Sequence, residues 1–297
     1  MFTTKDATTL ILLAGIGIPA LSVSAGVRRH DVNDTFYQDY ANQSQFQSVA
    51  TLSISGSGGS SVCSGTLLTS EWILTAAHCF DGQSDPLSFI NLNGSFGFVD
   101  EVVINPDWTE GGFTEGGDLA LVRITTPITN TTPAQIYTGS NELGALGSSV
   151  GYGQGGTGIN GAQIGTGGIK RAGTNFIDVL GSARGFSDSI LLTDFDNPND
   201  ETDSTYGSAI PTDLEIQVGP GDSGGALFIE ENGVFYLAGV TSFINAPDGF
   251  ADGNYGDMSA YTRVSDYSAW INSVIPAPSG LIALGAGMLA ATRRRRD

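Results

Sequence analysis

The sequence predicts an all-β fold. Short apolar and β-branched runs recur between glycine, asparagine and aspartate residues, and glycine accounts for 42 of the 297 residues. Runs of this length between turn-forming residues are typical of antiparallel strands. No long segment has the apolar periodicity of an amphipathic helix. The pattern therefore favours strands joined by turns along most of the chain.

Four strand-like regions are predicted in the first half of the chain. Residues 49–54 and 62–68 are rich in apolar and β-branched side chains and are interpreted as a hairpin, with 55–61 as a flexible turn. Residues 96–104 and 119–124 have the same character. Residues 26–48, which precede the hairpin, are interpreted as a polar, irregular N-terminal segment.

The second half contains further predicted strands at residues 148–153, 170–180 and 233–243. Residues 155–168 are so rich in glycine that we expect a mobile surface loop. The Gly-x-Gly strings in that loop are not followed by a helical pattern, which argues against a nucleotide-binding turn.

Ser223 lies in a glycine-rich bend, residues 219–225, between a polar run and an apolar run. A serine hydroxyl is a poor nucleophile until a base takes its proton. A bend of this kind exposes the hydroxyl and turns successive backbone N–H groups toward one point, where an oxyanion could sit. An ordinary glycine-rich turn is the alternative interpretation.

A base and an orienting carboxylate for this serine are available upstream. His78 ends an apolar run and adjoins Cys79, and the only other cysteine is Cys63. A bridge between the two cysteines would close a loop of about 15 residues, worth roughly 3 kcal/mol, and would hold the backbone that carries His78. Asp118 precedes a strand-like run and could accept a hydrogen bond from the imidazole. A structural histidine and a turn aspartate are the alternatives.

Three strings together resemble the chymotrypsin-like (trypsin-family) serine proteases. They are Thr75-Ala-Ala-His-Cys79, Asp118-Leu-Ala-Leu121 and Gly221-Asp-Ser-Gly-Gly225, and they occur in the family's order. The resemblance covers residues 49–275. It implies two antiparallel six-stranded β-barrels, about 49–130 and 146–264, with the catalytic residues in the cleft between them, and a short C-terminal helix at 266–274 in which Trp270 packs inward.

The same resemblance implies the chemistry. Ser223 would be the nucleophile, His78 the general base and Asp118 the residue that orients His78. These are the three roles of a serine-protease catalytic triad. The N–H groups of Gly221 and Ser223 would form the oxyanion hole. No cofactor or metal is required, and the expected substrate is a protein or peptide.

A substrate pocket also follows from the resemblance. Ser242 would donate a hydrogen bond to Asp118, and the backbone of residues 242–244 would pair with the substrate. The pocket floor lacks the aspartate that holds arginine or lysine, and a branched residue at 244 should narrow the pocket. We therefore expect a small or medium uncharged residue before the cut bond. The predicted pocket residues are Gln217, Ser242, Phe243, Ile244 and Ser259.

The family's usual activation string is absent. In the family, the new amino terminus pairs with the aspartate before the catalytic serine, which is Asp222 here. Two interpretations remain open. Removal of a signal alone gives an active enzyme, with Asp222 satisfied in another way, or a protease trims the chain near Arg29.

Both ends of the chain are predicted to be signals. Residues 1–25 have an early lysine, an apolar stretch and the small residues Val23-Ser-Ala25 before a cleavage point, as a secretory signal has. An uncleaved anchor is the alternative. Residues 276–297 combine an apolar stretch with four arginines and resemble bacterial PEP-CTERM sorting signals, although Ala277 stands where the family has glutamate. A weak membrane anchor that is never cut is the alternative.

Charge limits the partners. Between the two signals lie about 250 residues, enough for two packed barrels, with 7 Lys and Arg against 29 Asp and Glu, a net charge of −22. Nucleic acid and anionic membranes would be repelled, so membrane contact is expected only through the C-terminal signal. The acidic loop 194–203 could be a calcium site, but the sequence favours a solvated loop.

Taken together, the sequence predicts an exported, monomeric serine endopeptidase, either secreted or attached to the bacterial cell surface. The alternative from another class is a catalytically silent, surface-displayed binding or matrix protein on a protease scaffold. An esterase is a third hypothesis, because the same catalytic residues can hydrolyse ester bonds.

Overall fold

The N-terminal segment is ordered in the computed structural model, which describes residues 26–84 and 86–276. Both predicted signals, apart from Pro276, lie outside the described residues. Strand β1 (Gly26–Arg28) is followed by helix α1 (Asp34–Ala41), whose first turn is capped by the Asn33 side chain. The prediction of an irregular segment is therefore wrong. The segment folds because Tyr37 and Phe46 are apolar anchors that become completely buried.

A closed six-stranded barrel forms the first half of the protein, in the order β2-β3-β4-β7-β6-β5. The predicted flexible turn at 55–61 is mostly strand, because the β2–β3 ladder continues to the pair Gly56–Gly59. The strands are β2 (Val49–Gly56), β3 (Gly59–Leu67), β4 (Trp72–Thr75), β5 (Leu87–Leu92), β6 (Ser95–Ile104) and β7 (Ala120–Ile124).

The second half is built on an antiparallel sheet in the order β12-β9-β16-β17-β18-β14-β13, with β8 added in parallel to β17. Its strands, together with three short ones described next, are β8 (Gln135–Ile136), β9 (Leu146–Gly151), β10 (Gly155–Thr157), β11 (Gly161–Ala162), β12 (Arg171–Phe176), β13 (Val179–Leu180), β14 (Ile190–Asp194), β15 (Ile216–Gln217), β16 (Ala226–Glu231), β17 (Val234–Asn245) and β18 (Met258–Arg263).

The structure confirms the predicted fold class with one difference, since the second sheet is a half-barrel and not a closed barrel. Its edge strand β12 is occupied by other partners. Thr174 of β12 bridges to Glu215, and helix α1 packs against the same strand. In a closed barrel, β12 would pair with the strand at the opposite edge of the sheet. Here these contacts take the place of that pairing.

A small four-stranded sheet in the order β11-β10-β1-β15 lies beside the half-barrel. Strand β1 is its centre, parallel to β10 and antiparallel to β15. Strands β10 and β11 come from the glycine-rich segment for which a mobile loop was predicted, and that prediction is wrong. Strand β10 is hydrogen-bonded to a neighbouring strand on each side. These backbone hydrogen bonds order a segment whose side chains alone could not hold it in place.

The chain closes with a 3-10 turn (Val264–Tyr267) and helix α2 (Ser268–Val274), close to the predicted helix. Ile271 and Trp270 of α2 pack on a hydrophobic core that is shared by the two halves of the protein. This shared core fixes the two halves against each other along the line where the candidate site lies. Over residues 26–84 and 86–276, no helix is long and apolar enough to cross a membrane.

Candidate active site

His78 and Asp118 meet because the strands that precede and follow them are neighbours. His78 lies in the turn after β4, and Asp118 lies just before β7, which pairs with β4 through Thr75 and Ala120. The imidazole Nδ1 is 2.7 Å from Asp118 Oδ2, and the backbone N–H of His78 donates to Oδ1 at 2.9 Å. A carboxylate at Nδ1 favours the tautomer with its proton there, which leaves Nε2 free to accept one.

The Asp118 carboxylate is fully buried and is held from the second half of the protein as well. The hydroxyl of Ser242, on β17, donates to Oδ2 at 2.5 Å. The hydroxyl of Thr262, on β18, donates to the Asp118 carbonyl at 3.3 Å. These hydrogen bonds satisfy the oxygens of a buried carboxylate. Asp118 is therefore fixed at the junction of the two halves, where it can orient the imidazole of His78.

Ser223 lies in the bend before β16, against the first barrel. The backbone N–H of Ser64 donates to the Ser223 carbonyl at 2.7 Å, and the Ser64 hydroxyl donates to the Gly221 carbonyl at 3.2 Å. The sulfur of Cys79, next to His78, is 4.0 Å from the Ser223 carbonyl oxygen. The bend that carries Ser223 is thus adjacent to the turn that carries His78.

The glycine after the serine is required by this close approach. Gly224 has φ of +78°, and a Cβ there would lie 2.1 Å from Thr75 Oγ1 and 2.3 Å from the Ser64 carbonyl oxygen. Side chains rarely adopt this backbone conformation, and no flexible neighbour can yield. The sequence did not predict that Ser64 and Thr75 contact the bend of Ser223, because a serine and a threonine within strands carry no pattern that shows which residues they contact.

The backbone N–H groups of Gly221 and Ser223 are free to receive a ligand. Within the described part of the chain, neither group donates a hydrogen bond to another residue. Between them, Asp222 makes the bend tight: its N–H donates to Gly219 at 2.9 Å and its carbonyl accepts from Gly225 at 2.7 Å. Two N–H groups from one such bend are suited to stabilising an oxyanion.

The predicted disulfide is confirmed. Cys63 on β3 is bonded to Cys79 in the turn that carries His78, with their Cα atoms 6.5 Å apart. The His78 ring is also covered by Phe113, whose centroid is 5.2 Å away and which reaches Phe243 at 5.9 Å. Phe113 was not identified from the sequence, since a single aromatic residue among glycine, threonine and glutamate gives no periodic signal.

A cavity of about 310 Å³ opens beside Ser223. Of the predicted pocket residues, Ser242, Phe243 and Ile244 line it, together with Ala251, which no sequence pattern indicated. Gln217 and Ser259 do not line it and are fully buried. They lie behind the wall because the Ser259 hydroxyl donates to Gln217 Oε1 at 2.5 Å and accepts from the N–H of Val218 at 3.1 Å.

The acidic loop is not solvated as a whole. Asp194 and Asp196 are 1% and 3% exposed, and Asp194 Oδ2 accepts the N–H groups of Thr205 and Tyr206. Burial, together with the smaller effect of the neighbouring Asp194, raises the pKa of Asp196 to about 7. Among residues 26–84 and 86–276, no group of three or more His, Cys, Asp or Glu side chains is arranged to hold a metal ion.

Comparison with known proteins agrees with this geometry. The family model described as Trypsin matches residues 37–176 and 180–271. The chymotrypsin-like elastase family member 1 of Bos taurus is 30% identical over 237 residues, which are 74% of this chain and 81% of the relative. The Homo sapiens protein of that name is 28% identical over 241 residues, 74% of this chain and 84% of the relative. The chain therefore belongs to the trypsin family and is a serine endopeptidase whose substrates are proteins or peptides.

Proposed function

We propose that this protein cleaves peptide bonds through an acyl-enzyme formed on Ser223. The observation that carries the proposal is the buried Asp118 carboxylate, 2.7 Å from the imidazole of His78 and beside the bend of Ser223. His78 Nε2 takes the hydroxyl proton as Ser223 attacks the carbonyl carbon. The protonated imidazole then gives that proton to the leaving amine. Water attacks the acyl-enzyme in the same way, with His78 as the base, and the carboxylic acid product is released.

Charge develops on the carbonyl oxygen during the attack. The N–H groups of Gly221 and Ser223 are the donors for that oxyanion, and their bend is already formed. Donors that are fixed in advance stabilise the transition state without a reorganisation cost. Removal of one such donor typically costs about 10²–10³-fold in kcat.

The cavity beside Ser223 supports a small or medium uncharged residue before the cut bond. None of its lining residues is charged, so a lysine or arginine side chain would lose its hydration with no ion-pair partner. The branched side chain of Ile244 takes up space in the wall where glycine would leave it open. Gln217, which lies behind the wall, contributes to the shape of the cavity and not to direct contact with the substrate.

An exported, monomeric enzyme fits these features. The Cys63–Cys79 bond is typical of an oxidising compartment. Residues 1–25 are the proposed export signal, and residues 276–297 are the proposed sorting signal, by which the enzyme is released or held at the cell surface.

A fluorophosphonate probe tests the proposed nucleophile, with Ser223→Ala as the matched control. We expect labelling of the wild-type protein only, and cleavage of a peptide library after small uncharged residues. A folded, disulfide-bonded wild-type sample that does not label would favour the silent surface-displayed binding protein. Cleavage mainly after arginine or lysine would contradict the proposed pocket.

A further inference from the structure

Three carboxylates line a cavity that the proposed catalysis does not use. The cavity has a volume of about 330 Å³, and its carboxylates belong to Asp178, Asp196 and Glu215. Asp196 and Glu215 are 3% and 1% exposed. Asp194, which is also buried, donates its backbone N–H to Asp178 Oδ2 at 3.1 Å. Carboxylates are rarely buried in this way unless a cation or a proton neutralises them.

The hydrogen bonds of this cluster leave one buried oxygen without a donor. Glu215 Oε1 accepts the N–H of Asp196 at 2.7 Å, and Oε2 accepts the N–H of Thr212 at 2.5 Å. Oδ1 of Asp196 has no hydrogen-bond partner within residues 26–84 and 86–276, although its side chain is buried and lines the cavity. A buried acceptor without a donor is costly. This oxygen therefore marks a position where a ligand with N–H groups would be held.

No lysine, arginine or histidine in the described part of the chain forms an ion pair with these carboxylates. Arg29 is close enough to Glu215 for their charges to interact. Its guanidinium is paired with Asp31, however, and donates to the carbonyl oxygen of Thr212 at 2.7 Å. The positive charge that would balance the cluster has to come from a proton or from a ligand.

Protons supply that charge when the cavity is empty. Burial raises the pKa of Glu215 to about 8 and that of Asp196 to about 7. Burial and the charge of Asp194 raise the pKa of Asp178 to about 8. Near neutral pH, a cation that enters the cavity therefore competes with bound protons.

The shape of the cavity favours an extended cation over a metal ion. Among the residues that the structure describes, these carboxylates are not arranged around one point that would hold a metal, and Ca²⁺ requires oxygen ligands within about 2.3–2.6 Å. Gly207 keeps the opening clear, since a Cβ there would lie 2.1 Å from Asp178 Oδ1. The exposed residues of the lining carry no charge; they are Gly144, Phe176, Gly207 and Ser208. A matching ligand has a charged end for the buried carboxylates and an apolar stem beside Phe176.

We propose that this cavity binds an organic cation, namely a primary ammonium or a guanidinium at the end of an aliphatic stem. Its N–H groups donate to Asp196 Oδ1 and to the Glu215 carboxylate, and its charge replaces the protons that occupy the empty cavity. The ligand is a free alkyl amine or guanidine, or a lysine or arginine side chain of another protein. The inference does not depend on the proposed function, because none of the lining residues belongs to the candidate active site.

Isothermal titration calorimetry tests the site, with n-butylammonium and n-butylguanidinium as probes and the neutral n-butylurea as their control. We expect both cations to bind at one molecule per chain and n-butylurea not to bind. Binding at pH 7 should release protons, measured as a difference in heat between phosphate and Tris buffers. The affinity should fall by about 10-fold for each pH unit below 7 when one proton is displaced.

Two variants assign the binding to this cavity. Asp196→Asn and Glu215→Gln keep the volume of the side chain and remove its charge, and each should weaken the binding of both cations by at least about 10-fold. Asp213→Asn is the matched control, because Asp213 is exposed and does not line the cavity, and it should bind as the wild type does. Near-ultraviolet circular dichroism verifies that each variant is folded.

Two further probes distinguish the sources of the cation. They are Nα-acetyl-lysine methylamide and Nα-acetyl-arginine methylamide, which carry the same charged groups on a peptide backbone. Binding as tight as that of the alkyl cations would identify a side chain of another protein as the ligand. Binding of the alkyl cations alone would identify a free amine or guanidine.

Three results would overturn the inference. The first is that the cations bind no more tightly than n-butylurea. The second is that folded Asp196→Asn and Glu215→Gln proteins bind the cations as the wild type does. The third is that calcium chloride binds in place of the organic cations and loses its binding in the same two variants. Each of these results leaves the proposed function standing, because fluorophosphonate labelling of Ser223 tests that function separately.

Discussion

Loss of the Cys63–Cys79 bond should weaken both the stability of the protein and its catalysis. The two residues are separated by 16 positions in the sequence. The chain-entropy model gives about 3 kcal/mol at 25 °C for a loop of this length. In a domain of this size, 1 kcal/mol moves the melting temperature by about 2–4 °C. We therefore expect the double variant C63A/C79A to melt roughly 6–12 °C below the wild type.

Thermal unfolding followed by circular dichroism measures this difference. Cys63 and Cys79 are 4% and 6% exposed, so alanine substitution also removes packing atoms. Wild-type protein reduced with a strong thiol is the matched control, because it keeps both sulfur atoms and lacks only the bond. Its melting temperature should lie between that of the oxidised protein and that of the double variant.

Catalysis should fall at temperatures where both proteins are folded. Cys79 adjoins His78, and its sulfur is 4.0 Å from the Ser223 carbonyl oxygen, so the bond restrains the proposed base relative to the proposed nucleophile. A misplacement of about 1 Å costs up to roughly 100-fold in rate, and we expect fluorophosphonate labelling to slow by about 10- to 100-fold. If the reduced protein melts within 2 °C of the oxidised protein and labels at the same rate, the reasoning is refuted.

Three further predictions follow from single positions. Ile244→Gly should raise the ratio of kcat/KM for phenylalanine over alanine before the cut bond by about 10- to 200-fold, measured with matched peptide substrates; an unchanged ratio would show that Ile244 is not a wall of the pocket. Gly224→Ala should abolish activity and lower the melting temperature, because its Cβ would lie 2.1 Å from Thr75 Oγ1; full activity would contradict the close approach. Burial and the neighbouring Asp194 raise the pKa of Asp178 to about 8. The folded protein therefore keeps a proton on this carboxyl that the unfolded chain releases above about pH 4. Because the folded state binds more protons in this range, the stability of the protein falls as the pH rises toward 8. Asp178→Asn should therefore melt a few degrees above the wild type at pH 8 and near it at pH 5, and an equal shift at both pH values would disprove the assignment.

Local sequence patterns predicted the strands best where the side chains on each face of the strand are clearly apolar or clearly polar. Strand β7, which brings Asp118 to His78, lies within the predicted run 119–124. The hairpin of β2 and β3 was also predicted, but its first strand was ended too early and its second strand was begun too late. The predicted turn consists of serine and glycine, which have weak strand preference, and only pairing between the strands extends the ladder to Gly56 and Gly59.

Segments without local pattern were predicted poorly. The N-terminal segment and the glycine-rich segment look polar or irregular, yet they pair with each other through β1 and β10. Strand pairing of this kind depends on backbone groups that are far apart in the sequence and identical in every residue. No single-sequence signal reports it, so an ordered sheet was expected to be a loop.

The sequence by itself determined the class of the fold, the order of the three strings that resemble the family and the single possible disulfide, because each depends on residue types at short spacing. Only the tertiary structure decided which of the predicted residues come into contact. It placed Gln217 and Ser259 behind the pocket wall, Ser64 against the bend of Ser223, and Gly26 against Asp222. These contacts depend on the distance between the two halves of the protein, which is set by the shared core and not by any local pattern.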